Sequence, residues 1–128
     1  MEFSEKVNEV INSAFIKAGI EQNEYMTPEH MLYALCKELP FQRALLKCGG
    51  SVERLENNLN QFFRNHLPQK KGDEIAVSNG TQSVFECAVR QAISSGREEV
   101  EISHILKGIM EQEESFAVYY LSLESDEP

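Results

Sequence analysis

Apolar residues recur along this chain at the spacing of one helical face. Val7, Val10, Ile11, Ala14, Phe15 and Ala18 form a stripe at i, i+3, i+4 intervals, which predicts a helix from about Ser4 to Ala18 with Ser4 as N-cap and Gly19 as its stop. Thr27-Pro28-Glu29 then supplies a capping hydroxyl, a proline suited to the first helical position and an acid for the positive first turn. A second helix therefore starts there, with Met31, Leu32, Leu35 and Cys36 inward and Pro40 as its end. A short third helix spans Phe41 to Lys47, before Gly49-Gly50. A fourth, capped by Ser51, carries the stripe Val52, Leu55, Leu59, Phe62 and Phe63 and stops at Pro68.

The pattern then restarts. A shift of 74 positions carries Val10, Ile11, Ala14, Phe15 and Ala18 onto Val84, Phe85, Ala88, Val89 and Ala92. The same shift carries Met26, His30, Met31, Leu32 and Leu35 onto Val100, His104, Ile105, Leu106 and Ile109, without a gap. A duplication of this length predicts an all-α fold of two pseudo-symmetric four-helix repeats that bury their apolar faces against each other. Repeat 1 covers about 1–66. Residues 67–80 have no helical period and many turn formers, and read as a linker. Repeat 2 covers about 81–128, with helices near 80–94 and 102–111 and a third opened by Ser115. Ser51 maps onto Ser125, three residues before the end, so the eighth helix is largely missing and the chain reads as part of a longer protein.

Composition narrows the function. At 128 residues the chain suits one domain. It has no apolar run of the roughly 18–20 residues that span a bilayer, and its Met-Glu-Phe-Ser-Glu-Lys start lacks the order of a signal peptide. Three cysteines without CxxC spacing (Cys36, Cys48, Cys87) indicate neither a disulfide framework nor a zinc site, and the expected location is cytoplasmic. The net charge of −9 is concentrated at one end: residues 98–128 hold nine acids and one base, Lys107. That third repels phosphate backbones and excludes nucleic acid as a partner; it reads as a solvated face or a surface for a basic protein.

The chain carries no P-loop, no GxGxxG after a strand pattern, no HExxH and no GxSxG. His30 and His104 hold equivalent places three residues into a helix. A metal or acid–base pair is one reading. Packing at a helix start with a hydrogen bond to a neighbouring group is the better one, because duplication does not require a catalytic group twice and no further ligand stands at metal spacing. Cys36 lies on an inward face and Cys48 beside Gly49 on a more open one. In the adjacent aromatic pairs Phe62-Phe63 and Tyr119-Tyr120, one member of each is expected to stay partly exposed, as core edge or as a peptide-binding patch.

Glu24-Tyr25-Met26-Thr27-Pro28-Glu29-His30-Met31-Leu32-Tyr33-Ala34-Leu35 and Ser94-Ser95-Gly96-Arg97-Glu98-Glu99-Val100 resemble the two halves of the Clp N-terminal domain, the tandem-repeat module at the front of Clp-family AAA+ unfoldases. The likeness is nearest to the ClpA branch and covers essentially the whole chain. It implies a non-catalytic domain that docks protein substrates or a ClpS-type adaptor, with no cofactor of its own. ATP and Mg would belong to a hexameric parent docked on a ClpP-type peptidase. It also implies adaptor contacts at Glu24 and Glu29, in the turn between the first two helices, where two exposed carboxylates would accept charge-assisted hydrogen bonds. Glu29 equally suits the helix dipole. The alternatives are a stand-alone regulatory protein-binding module without an ATPase, and a small enzyme using His30 or Cys48.

Overall fold

Helix initiation follows the capping residues. In the computed structural model, which describes residues 1–70 and 72–125, Ser4 accepts the N–H of Val7 and starts α1 (Glu5–Ile20). Pro28 opens α2 (Pro28–Leu35), and Ser51 accepts the N–H of Arg54 at the head of α4 (Val52–Asn65). Between them lies α3 (Leu39–Lys47). Ser78 caps α5 (Asn79–Ser94), α6 follows as Ile102–Met110, and Ser115 caps α7 (Phe116–Ser122). The 74-residue shift carries α1 onto α5 residue for residue, Ser4 onto Ser78, and the first residue of α2 onto that of α6. The architecture is all-α, with seven helices among the described residues.

Four two-residue strands join the repeats: β1 (Glu2–Phe3), β2 (Tyr25–Met26), β3 (Ala76–Val77) and β4 (Glu99–Val100). β1 pairs in parallel with β4, Phe3 opposite Val100, and β2 pairs in parallel with β3, Met26 opposite Val77. The leading strand of each repeat thus pairs with the trailing strand of the other. Segment 67–80, featureless by period, is held in this exchange: β3 lies on β2, and the Thr81 hydroxyl donates to the Met26 carbonyl at 2.8 Å.

Helix stripes from both repeats merge into one core, in which Val7, Ala14, Leu32, Leu59, Ala88 and Ile105 are fully buried. Two glycines permit close approach. A Cβ on Gly108 would stand 2.6 Å from the Val84 carbonyl oxygen where α6 crosses α5, and one on Gly50 would stand 2.5 Å from the Glu124 carbonyl oxygen.

Three local expectations are corrected. Gly19 does not end α1. The helix runs to Ile20, the left-handed residue is Gln22 (φ 57°), and the Asn23 N–H returns to the Ala18 carbonyl. Pro40 does not stop α2, which has already ended at Leu35; it sits in the first turn of α3, where a missing N–H costs no hydrogen bond. Phe62 and Phe63 are both buried, because α4 is covered on two sides. Phe63 stacks on His30 at 4.3 Å while Phe62 packs on Phe116 of α7 at 4.9 Å. Tyr119, whose ring packs on Tyr120, stays half-exposed as expected.

Candidate functional site

The turn between α1 and α2 is fixed from both sides by main chain. The Glu24 N–H donates to the Pro68 carbonyl at 3.1 Å, and the Glu24 carbonyl accepts the Ala76 N–H at 3.2 Å. Lys70 N–H donates to the Gln22 carbonyl at 2.7 Å. Short polar residues with no room for a regular helix thus become a rigid corner, and the Glu24 side chain leaves it partly exposed.

Beneath that corner lies a buried polar chain. His30 Nδ1 accepts the Thr27 N–H at 2.9 Å, which leaves the proton on Nε2 to be donated to Asn23 Oδ1 at 2.8 Å. Asn23 Nδ2 donates in turn to the Phe63 carbonyl at 3.0 Å. Burial first, and the nearby Lys17 charge second, depress the His30 pKa to about 3, so the imidazole is neutral near pH 7. His104 repeats the arrangement: Nδ1 accepts the Glu101 N–H at 2.8 Å, and Nε2 lies 3.3 Å from the Ser95 hydroxyl. Both histidines therefore make the helix-start hydrogen bonds expected of a packing role. Among the described residues no group of three or more His, Cys, Asp or Glu side chains stands ready to hold a metal.

Glu29 does not share the exposure of Glu24. It is 5% exposed, and its Oε2 accepts the N–H of Ala117 at 2.8 Å, 88 residues away. The carboxyl satisfies an N-terminal donor of α7 that Ser115, already bonded to Val118, cannot reach. Burial raises its pKa from 4.5, against the lowering effect of the hydrogen bonds it accepts. The expected surface pair is thus one half-open carboxylate, Glu24, and one internal clasp, Glu29. The clasp lines a groove shared with Pro28, Gly80 and Phe116 and with three further acids, Glu111, Glu113 and Glu114.

Cys36 is buried, which pushes its thiol up to about 12 and makes it a poor nucleophile; Cys48 is exposed. The sequence reading overlooked Glu124. It is 1% exposed, accepts the Ser51 N–H at 2.7 Å and holds Arg54 through two hydrogen bonds of 2.9 and 2.8 Å. The signal was present as a mismatch in the duplication, since Glu124 stands where the first repeat has Gly50.

With this geometry in hand, comparison with known proteins is specific. Residues 2–123 match the Clp repeat (R) N-terminal domain family. A ClpA homolog protein of Fuscovulum blasticum is 31% identical over an alignment of 123 residues that covers 93% of this chain; the chain spans 16% of that protein's length. The Hsp104 N-terminal domain from Candida albicans shares the fold with a TM-score of 0.80 at 22% identity, over 97% of this chain and 82% of that one. The N-terminal domain of the chaperone ClpD from Arabidopsis thaliana gives 0.66 at 16% identity, over 96% and 94%. Family match, repeat architecture and fold agree: this chain belongs to the Clp repeat (R) N-terminal domain family.

Proposed function

We propose that this domain docks protein substrates, or a ClpS-type adaptor carrying them, for delivery to the AAA+ ring of a longer, ClpA-like protein. The observation that supports the reading is the rigid corner bearing Glu24: a half-exposed carboxylate whose main chain is pinned on both sides. A fixed acceptor binds a basic partner group at little ordering cost. Glu29 contributes from beneath, by holding the start of α7 against α2. In this reading ATP and Mg chemistry, hexamer formation and contact with a ClpP-type peptidase belong to other parts of the parent, and the setting is cytoplasmic.

The test is titration calorimetry of wild type and Glu24→Lys against a ClpS-type adaptor, without nucleotide. The variant should keep its circular dichroism spectrum and bind more weakly, with a slower on-rate and a shallower loss of affinity with salt than wild type if Glu24 sits on the rim. Equal binding by both places the adaptor surface elsewhere on the domain. No binding by wild type favours direct engagement of substrates.

A further inference from the structure

Beside the Glu24 corner, α1 presents to solvent two large apolar side chains that its own packing does not use. Ile16 is 63% exposed and Ile20 69%. At i, i+4 spacing they share one face of the helix. Ile75 adjoins them: its Cδ1 lies 3.6 Å from the Cβ position of Gly19, which leaves room for it. In the same two places of the second repeat, α5 carries Arg90 and Ser94, so the fold does not require apolar residues there. Nor is a helix of the duplication due at this face. α4 packs chiefly on α2, α3 and α7, so its counterpart would cover α6, α7 and α3, not α1.

Charge decides what the face fits. Glu24 is held next to Ile75, its carbonyl accepting the Ala76 N–H, and Asp73 and Glu74 precede Ile75 at exposed positions. None of these three acids forms an ion pair among the described residues. Lys17, next to Ile16, is turned inward onto Tyr33 and Glu21. Lys70 is bonded at Gln22, which leaves the Asp73 and Glu74 side for a partner's bases. A second copy is a poor occupant. A two-fold contact would set these acids against themselves, and three isoleucines fall well short of the roughly 1,200–2,000 Å² buried in a stable interface. We infer that this face docks a short segment of a partner protein, with one or two large aliphatic or aromatic side chains flanked by Lys or Arg. Such docking does not require that a ClpS-type adaptor use Glu24.

The probes are two end-blocked peptides, Lys-Lys-Leu-Leu-Lys-Lys and Glu-Glu-Leu-Leu-Glu-Glu, titrated into the isotope-labelled domain and followed by amide NMR shifts. The basic peptide should shift the amides of residues 16–20 and 73–76, and the acidic one should shift none of them. Ile16→Arg with Ile20→Ser, the pair that α5 carries, should weaken binding by at least about tenfold and leave the melting temperature unchanged. Asp73→Lys with Glu74→Lys should weaken it about two- to fivefold, the range of exposed ion pairs. Ile93→Ser, which removes an exposed isoleucine from α5, should change nothing. No binding to wild type, equal binding by the Ile16 and Ile20 double variant, shifts gathered on residues 98–114, or equal binding of both peptides would each overturn the assignment. So would self-association that the double variant abolishes, which gives the face to a second copy, or co-sedimentation with phosphatidylcholine vesicles, which gives it to a membrane.

Discussion

Glu29 and His30, neighbours in the first turn of α2, are both buried, and burial opposes the charged form of each. For His30, with a folded pKa of about 3 against 6.5 unfolded, only the unfolded chain takes up the proton between those values. Stability is therefore complete above pH 6.5 and falls as the pH drops toward 3, by about 1.4 kcal/mol per unit. Urea midpoints measured across pH 4–7 should show this slope, and His30→Gln should flatten it. Glu29 has the opposite sign: its raised pKa means stability is lost as the pH climbs through 4.5. Glu29→Gln keeps an acceptor for Ala117 and removes the buried charge, so at pH 7 it should match or exceed wild type. Glu29→Ala loses the acceptor and should cost about 0.5–2 kcal/mol in a urea titration. The packing of His30 was legible in the sequence, from its repeat at His104, but the burial of Glu29 was not. Pro28-Glu29 looks like an ordinary helix start until α7 arrives from 88 positions away.

Among the helices, apolar period and caps carried most of the information. Ser4, Ser51 and Ser115 each accept the N–H three residues on, as their placement before a stripe predicts. The strands escaped because two residues cannot display a period, and each finds its partner in the other repeat. Small residues inside large stripes mark close crossings: Ala14 and Ala88 are fully buried, and Gly108 meets Val84. Ala14→Leu and Ala88→Leu should each lower stability by about 1–3 kcal/mol in chemical denaturation. The clasp between α7 and α4 should respond asymmetrically. Arg54 is 54% exposed and the Glu124 side chain 0%. Arg54→Met therefore strands a buried carboxylate and should cost more than Glu124→Gln, which leaves an accessible guanidinium; a double-mutant cycle read by thermal melts would measure the difference.

Over the whole molecule, neither repeat is self-sufficient. β1 lies on β4, β2 on β3, Thr81 bonds Met26, and Glu29 reaches Ala117, so each half lends the other hydrogen bonds as well as apolar cover. Fragments 1–66 and 67–128 should each lack a cooperative melt alone and regain one when mixed; independent cooperative melting of either would contradict this interdependence. The exchanged strands also bear on synthesis. Glu2 pairs with Glu99, 97 positions later. At about 5–20 residues per second, a ribosome leaves β1 without its partner for about 5–20 s. Throughout that interval the stripe of α1 is made while α6 is not, and α5 arrives only near its end. The nascent first repeat should therefore carry an uncovered apolar stripe, and its contacts with β3, β4, Thr81 and Ala117 can form only once the second repeat has been translated.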